Sequence, residues 1–201
     1  MIIGLTGQIG AGKSAAARIL RGIGALIVDA DRIGRQVVDG SPAVRKKLAA
    51  SFGKDILGER GELKRRKLAS KAFADKRGRD ILNSIVHPYL LKELRRQVKA
   101  GANKYPAVVI DAALLLFWGM DREVDLTLVI HASRRERLNR MAERGISRAD
   151  ALARERSQLP YAEFQRRADR LILNNGSLKD LERKLTAFWH RCVVLEKAPC
   201  R

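Results

Sequence analysis

The residues best suited to binding and catalysis lie near the start of the chain, where glycines, a lysine and a serine occur at a fixed spacing. The segment from Gly7 to Ser14 reads G-x-x-x-x-G-K-S and ends in Lys13 and Ser14. Glycines have no Cβ, so consecutive backbone N–H groups can point at phosphate oxygens. A lysine can reach the β- and γ-phosphates, and a serine hydroxyl can ligate Mg²⁺. The segment therefore predicts a site for a nucleoside triphosphate and its metal ion.

The residues on both sides of this segment supply the context that a phosphate loop needs. The apolar run from Ile2 to Leu5 predicts a buried strand, and the run from Ala15 to Leu20 favours a helix. A helix that begins near Lys13 would present the positive end of its dipole to the same anion. A glycine-rich turn with a chance lysine is the alternative, but pattern, position and flanks all agree with the phosphate loop.

Two carboxylates follow the second predicted strand, which covers residues 25–28. In open α/β sheets, ligands bind beyond the carboxyl ends of the strands, so Asp29 and Asp31 are expected opposite the phosphate loop. A carboxylate there can accept the proton of an attacking hydroxyl or hold Mg²⁺ through water. Asp31 can instead be the N-cap of a helix that starts near Arg32, a role that involves no catalysis.

Strand and helix signals alternate along the 201 residues, which predicts an α/β fold with a parallel sheet of about five strands. The later strands are expected at 107–111, 126–130 and 171–173. Two helical insertions, about 32–100 and about 133–166, interrupt a single predicted domain that spans 1–201. The first contains a long helix over 76–98, in which Pro88 marks a potential break. A last helix is expected over 178–194.

This arrangement resembles a nucleoside-monophosphate-type kinase built on the P-loop NTPase fold. The insertion at 32–100 would then hold the acceptor, and the arginine-rich insertion at 133–166 would be a lid. A closed lid excludes water, so that the phosphoryl group passes to the intended hydroxyl. It also brings arginines to the charge that develops on the transferred group.

A more specific resemblance covers nearly the whole chain. The motifs that carry it are Gly4 to Ser14, Asp29-Ala30-Asp31, Leu82-Asn83-Ser84-Ile85-Val86-His87-Pro88, and Ala168-Asp169 followed by Asn174-Asn175-Gly176. In this order they resemble dephospho-coenzyme A kinase. Many NTPases share the glycine loop, whereas the aspartate pair, the Leu-Asn-x-x-x-His-Pro run and the Asn-Asn-Gly ending are much more particular. The resemblance implies a transferase of the last step of coenzyme A biosynthesis. ATP, with Mg²⁺, would phosphorylate the ribose 3′-hydroxyl of dephospho-coenzyme A.

The resemblance also implies which residues bind the nucleotide. The family's ATP loop corresponds to Gly10, Ala11, Gly12, Lys13, Ser14 and Ala15. Within it, Lys13 would contact the phosphates as a catalytic residue, and Ser14 would ligate the metal. Asn174 and Asn175 correspond to positions that lie near the adenine in this family. The sequence Asn174-Asn175-Gly176 also favours a turn, whatever the function.

On the acceptor side, the resemblance assigns the general base to Asp31, with Asp29 helping to place metal or base. His87 would lie in the helical region that receives the coenzyme A moiety, unless it is a structural cap or a buried ring. Arg140 corresponds to a catalytic lid arginine near the nucleotide phosphates, and Arg144 lies one turn further along the same helix face. The alternative for Arg140 is an ion pair with Glu136 or Glu143 of its own helix.

The chain departs from the family pattern at four positions. After the strand at 107–111, the family usually has Pro-Leu-Leu-aromatic-Glu, whereas Ala113 and Phe117 replace the proline and the glutamate here. An aromatic in place of a carboxylate at a substrate-facing turn is expected to change acceptor binding or to weaken activity. Arg137 occupies the position of a lid glutamine of the family, and Ala15 occupies the position of the threonine that usually follows Ser14. The change at Ala15 leaves the metal ligand, Ser14, in place.

The charge balance raises a different class of function. The chain has 41 Lys and Arg against 22 Asp and Glu, a net charge of +19, which attracts polyanions. A basic nucleic-acid-binding NTPase is therefore one alternative, beside another P-loop kinase of nucleotides or small molecules and a P-loop scaffold without turnover. No RNA- or DNA-binding motif occurs, and aromatic residues make up only 5%. We therefore expect a small-molecule substrate and no specific nucleic acid.

No membrane association is expected, because no apolar run approaches the roughly 18 residues of a membrane span. The first residues resemble a strand rather than a secretory signal. The expected location is the cytoplasm.

Overall fold

A computed structural model describes residues 1–195 and shows one five-stranded sheet. The strands are β1 (Ile2–Thr6), β2 (Leu26–Asp29), β3 (Val108–Asp111), β4 (Leu126–His131) and β5 (Arg170–Leu173). Their order in the sheet is β2-β3-β1-β4-β5, and β1 pairs in parallel with both β3 and β4. The predicted parallel sheet of about five strands is therefore confirmed.

α-Helices lie between all consecutive strands except β3 and β4, which a 3₁₀ segment separates. They are α1 (Lys13–Gly22), α2 (Ala30–Gly40), α3 (Pro42–Phe52), α4 (Arg65–Ala72), α5 (Lys76–Ala102), α6 (Arg134–Glu143), α7 (Arg148–Arg156), α8 (Tyr161–Arg166) and α9 (Leu178–Trp189). Short 3₁₀ segments cover Lys54–Ile56 and Met120–Arg122. The last predicted helix ends earlier than expected, because the backbone passes into a π-helical turn over His190–Val194.

The chain divides into two compact units. One contains residues 1–28 and the chain from residue 98 onward, and the other contains Asp29–Gln97. The second unit has nearly the bounds of the predicted insertion at 32–100, and between residues 29 and 97 the extended pairing is limited to an isolated bridge of Leu57 with Leu63. A single domain with two insertions stays a prediction.

The first unit is built around a sheet that is buried on both faces. Ile3 and Leu5 of β1 and Leu128 of β4 are fully buried, as continuous apolar strands of a parallel sheet should be. Helices α1 and α9 add Leu20 and Leu185 to the same core. This packing fixes the end of β1 and the start of α1, the two elements that the glycine loop connects.

Two aspartates set the register of the strands around β1. The Asp125 carboxylate accepts a hydrogen bond from the Ile2 N–H (2.7 Å), and the Asp169 carboxylate accepts one from the Thr127 N–H (2.8 Å). The Asp169 N–H in turn donates to the Thr127 carbonyl (3.0 Å). The Ala168-Asp169 motif therefore has a structural explanation, because Asp169 aligns β5 with β4.

The second unit has its own helical core, in which Val44 and Leu48 of α3 pack with Ile56 and with Val86 of α5. The predicted start of α3 is confirmed, because the Ser41 hydroxyl accepts from the Val44 N–H and a proline occupies the first helical position. The potential break of the long helix at Pro88 is wrong. Helix α5 continues past the proline, and buried residues on both sides of it offset the cost of about 3 kcal/mol for a proline inside a helix.

None of the helices within residues 1–195 combines the length and the apolar character that a membrane span requires.

Candidate active site

The glycine loop between β1 and α1 adopts a backbone that only glycine accommodates at two positions. Gly10 and Gly12 have φ of 78° and 100°, in the left-handed region. A Cβ on Gly12 would lie 2.2 Å from Asn174 Nδ2, and one on Gly10 would lie 2.6 Å from the Arg137 carbonyl oxygen. The loop is thus held tightly from outside, and its shape depends on residues more than 120 positions further along the chain.

The start of α1 is prepared for an anion. Five other helices begin with a side-chain cap on their first N–H groups, supplied by Asp29, Ser41, Ser133, Ser147 and Ser177. Helix α1 has Gly12 as its N-cap and, like α4, has no side-chain cap and no acidic residue in its first turn. Within residues 1–195, the N–H groups of Gly12, Lys13 and Ser14 donate no hydrogen bond. These donors suit phosphate oxygens, which bind helix N-termini of this kind.

Lys13 forms an ion pair with Asp111, the last residue of β3. Both side chains are mostly buried, and the sheet pairs Asp111 directly with Leu5 of β1, just before the loop. Asp111 is not among the site residues predicted from the sequence. The signal was present, because this aspartate follows a buried apolar strand in the same way as Asp29.

Arg140 of α6 lies against the outer side of the loop. Its Nη1 donates to the carbonyl oxygens of Gly10 (3.5 Å) and Ala11 (3.4 Å), and its Nη2 donates to the Asn174 carbonyl (2.8 Å). The alternative of an ion pair with a glutamate of its own helix is wrong. The guanidinium is therefore positioned at the predicted nucleotide loop.

The two asparagines after β5 also contact this region. Asn174 Nδ2 donates to the Ala11 carbonyl (2.8 Å), and Asn175 Oδ1 accepts from the Ser133 N–H (2.8 Å) at the start of α6. A simple turn explains neither contact, since Asn174 is nine-tenths buried beneath the loop. Their approach to an adenine stays a prediction.

The two aspartates after β2 have different roles in the second unit. Asp29 Oδ1 accepts from the Arg32 N–H (2.9 Å) and caps α2, so the alternative in which Asp31 is the N-cap is wrong. Asp31 is exposed in the first turn, and no hydrogen bond or ion pair within residues 1–195 engages its carboxylate. Asp31 is therefore available for another task, and its role as base stays a prediction.

The remaining predicted residues are His87 and Arg144. His87 lies half-buried inside α5, so it is not a helix cap, and burial lowers its pKa below the usual 6.5. Arg144 is exposed at the end of α6, and its side chain makes no hydrogen bond with the loop in the described residues. Their binding of substrate stays a prediction.

The segment after β3 carries two of the departures from the family pattern. Phe117 is 65% exposed, whereas Leu115 and Leu116 are buried in the core. The aromatic that replaces a glutamate is therefore presented at the surface of the first unit. The effects of Phe117 and of Ala113 on acceptor binding stay predictions.

His131, at the end of β4, provides a prediction about pH. Its ring stacks on Tyr161 with centroids 3.9 Å apart, and burial together with the Arg137 charge lowers the pKa of His131 below 6.5. The unfolded chain then binds a proton at a higher pH than the folded chain does, so stability is lost as pH falls through about 6.5. We expect the melting temperature to decrease between about pH 7.5 and about pH 5.5, and to decrease less in His131→Phe.

The phenylalanine keeps a ring for the stack but cannot be protonated. The melting temperature of this variant should still decrease somewhat as the pH falls, because the pKa of His87 is also lowered below 6.5. Equal decreases in the parent and in His131→Phe would contradict the prediction.

Comparison with known proteins agrees with this geometry. The family model described as CoaE, dephospho-CoA kinase, matches residues 1–180. A dephospho-CoA kinase of Corynebacterium glutamicum is 44% identical over 183 residues, covering 90% of this chain and 93% of the relative. One of Carboxydothermus hydrogenoformans is 40% identical over 186 residues, covering 92% and 90%. The crystal structure of TT1252 from Thermus thermophilus superposes with a TM-score of 0.80 at 35% identity, covering 99% of this chain and 98% of that one.

These similarities cover the phosphate loop, the helices after β4 and the second unit, and the architecture is that of the P-loop kinases. On the strength of the family match and of these identities, the chain belongs to the dephospho-CoA kinase family.

Proposed function

We propose that this protein transfers the γ-phosphoryl group of ATP to the 3′-hydroxyl of dephospho-coenzyme A, giving coenzyme A and ADP in the last step of coenzyme A biosynthesis. The observation that carries the proposal is the convergence of Lys13, Arg140 and the undonated N–H groups of α1 on one loop, in a chain of this family. Phosphoryl transfer is catalysed mainly by positioning and by stabilising charge, and these groups supply both.

Each nucleotide-side residue has a role that follows from its position. The Lys13 ammonium would stabilise the charge that grows on the transferred group, and the loop N–H groups would hold the phosphates in line. Arg140, which already contacts the loop carbonyls, would add a second positive charge. Asn175, next to the start of α6, would approach the adenine.

The residues present also fit a magnesium ion. Within residues 1–195, no three His, Cys, Asp or Glu side chains form a metal site of their own. Mg²⁺ normally takes one or two protein oxygens together with substrate phosphates, and Ser14 and Asp111 offer such oxygens beside the loop. Ser14 and Asp111 would hold the ion, which would supply positive charge against the phosphates when it is bound.

On the acceptor side, we propose Asp31 as the general base that accepts the 3′-hydroxyl proton at its carboxylate. The capping bond of Asp29 holds the first turn of α2, which carries Asp31. His87 and Arg144 would contact the coenzyme A moiety or the phosphates. The exposed Phe117 would alter acceptor binding, since the family has a carboxylate there.

We further propose that the enzyme acts in the cytoplasm, where ATP is available, and that its partner is the small-molecule substrate rather than nucleic acid. The +19 charge is spread over both units, and many of its arginines and lysines pair with acids, as Arg65 does with Asp39 and Lys71 does with Asp55.

An acceptor screen tests the proposal. Purified protein with ATP and Mg²⁺ should form ADP and coenzyme A from dephospho-coenzyme A, and should form little ADP with adenosine, shikimate or nucleoside monophosphates. The same assay with single-stranded RNA and DNA at several salt concentrations tests the alternative class. ATP hydrolysis that needs a polynucleotide and falls steeply with salt would overturn the kinase assignment.

A further inference from the structure

Two side chains bind the backbone of the phosphate loop at Ile9, before the residues that the family assigns to ATP, and a third side chain pairs with one of them. Arg137 Nη1 of α6 donates to the Ile9 carbonyl oxygen (3.4 Å). Gln158, in the segment after α7, accepts the Ile9 N–H at its Oε1 (2.8 Å). Glu155 of α7 forms an ion pair with Arg137. We call Arg137, Glu155 and Gln158 the loop brace.

The planarity of the peptide bond gives these contacts a consequence for phosphate binding. The Ile9 carbonyl and the Gly10 N–H belong to one trans peptide unit, so they point in opposite directions. When Arg137 fixes the carbonyl, the Gly10 N–H is fixed on the other side of the loop. Arg140 and Asn174 act in the same way on the Ala11 carbonyl, which shares its peptide unit with the Gly12 N–H.

The peptide before Ile9 is fixed as well. Its N–H is bound by Gln158, and its carbonyl, that of Gln8, accepts from the Ala11 N–H (3.0 Å). These hydrogen bonds restrain both peptides, and they therefore restrain the direction of the Gly10 N–H.

The burial of Arg137 shows that its contact with the loop is more than a surface ion pair. Its side chain is 5% exposed, and its Nε has no hydrogen-bond partner within residues 1–195. A guanidinium is expensive to bury, and an apolar side chain of similar size could fill the same space at lower cost. An apolar side chain could not donate to the Ile9 carbonyl.

Glu155 has a buried and an exposed partner. Its Oε1 faces Arg137, and its Oε2 accepts from Arg134 Nε (3.0 Å), whose side chain is 64% exposed. Burial raises the pKa of Glu155, but the hydrogen bonds from Arg137 and Arg134 outweigh it and leave the pKa lowered, so the carboxylate stays charged. The two arginines offer a matched pair for mutation, because they share one carboxylate and only Arg137 reaches the loop.

We propose that the loop brace positions the Gly10 N–H for the phosphates of ATP and thereby couples lid helix α7 to nucleotide affinity. Arg137, Glu155 and Gln158 are positioning residues, since they act through the loop backbone. The proposal rests on the proposed function only in requiring that the loop binds ATP; it does not depend on which acceptor receives the phosphoryl group.

Calorimetric titration of the full chain with ATP and Mg²⁺, without acceptor, tests the brace. Glu155→Gln removes the counter-charge of the buried guanidinium and should raise the Kd for ATP about tenfold. Arg134→Ala removes only the exposed partner of the Glu155 carboxylate and should leave the Kd for ATP within about twofold of the parent value. Equal Kd values for Glu155→Gln and the parent would overturn the proposal.

A double variant separates positioning from stability. Arg137→Met/Glu155→Met removes both buried charges, so its melting temperature should be at or above that of Glu155→Gln. Its Kd for ATP should still be raised about tenfold, because the Ile9 carbonyl has lost its donor. A Kd that recovers together with the melting temperature would show a purely structural ion pair and overturn the proposal.

Gln158→Ala provides an independent arm that leaves the ion pair intact. It should raise the Kd for ATP about threefold and speed hydrogen exchange at the Ile9 amide. A parental Kd with a parental exchange rate would count against the brace. A parent chain that binds no ATP would instead contradict the proposed function, so the two failures can be told apart.

Discussion

Replacing Lys13 by alanine is expected to lower kcat by at least about a hundredfold, the loss typical of removing one donor that stabilises transition-state charge. Lys13 is the first residue of α1, beside N–H groups that donate to nothing else in the described residues. Its ammonium is the positive group that the loop itself contributes. Without it, the charge on the transferred phosphoryl group would be balanced by Arg140 and the metal ion alone.

The ion pair of Lys13 with Asp111 adds a second effect. In Lys13→Ala the Asp111 carboxylate loses the lysine and faces the incoming triphosphate with its full negative charge, so ATP binding should weaken as well. In a titration with ATP without Mg²⁺, where Asp111 has no metal ion to hold, the double variant Lys13→Ala/Asp111→Ala should recover part of the affinity, and in the activity assay it should recover none of kcat. That split would assign the affinity loss to repulsion and the kcat loss to the missing ammonium.

Steady-state kinetics with dephospho-coenzyme A and titration with ATP measure the two quantities. Lys46→Ala is the matched control, because it removes the same charge from an exposed position of α3. It should behave as the parent. Parental kcat in Lys13→Ala would mean that the loop does not hold the transferred phosphate.

The parts of the site that the sequence predicts correctly are those whose cause is local. Helix α1 begins at Lys13 as expected, because strand, glycines and helix formers follow one another within about twenty residues. The left-handed Gly10 and Gly12 belong to the same short pattern. The helix starts at Ser133 and Ser147 were likewise predictable, since a capping serine lies three residues from the N–H that it accepts.

The parts that the sequence analysis missed depend on the order of the strands and on tertiary packing. Asp111 reaches Lys13 only because β3 lies next to β1, and alternating patterns do not reveal strand order. Asn174 binds Ala11 across 163 positions of sequence. The pattern of α6 places Arg137 among charged neighbours, which indicates a surface residue, whereas α7 and the loop bury it.

Packing also explains why Pro88 does not interrupt α5. Val86, Leu90 and Leu94 are buried in a row along the helix, so a kink at the proline would expose one half of this face. Burial of each such side chain contributes about 1.5–3 kcal/mol, and together they outweigh the local preference that a proline carries. The local preference of proline does not include this stabilisation by burial, because the residues that pack against α5 are distant in sequence.

Asp31→Asn is expected to lower kcat by about 10²–10⁴ while the Kd for ATP stays close to that of the parent, since general-base catalysis contributes an effect of this size. Asparagine has the shape of aspartate but cannot accept the 3′-hydroxyl proton. The fold should be unaffected, because Asp29 rather than Asp31 caps α2 and the Asp31 side chain is exposed. The melting temperature of the variant should therefore match that of the parent.

Two controls separate chemistry from charge and from helix capping. Asp39→Asn removes the same charge from the same helix at a carboxylate that pairs with Arg65, and kcat should not change. Asp29→Ala removes the cap and should cost about 1 kcal/mol of stability, with a smaller loss of kcat than Asp31→Asn. If Asp31→Asn turned over as fast as the parent, the proton would leave by another route. The carboxylate after β2 would then serve binding rather than catalysis.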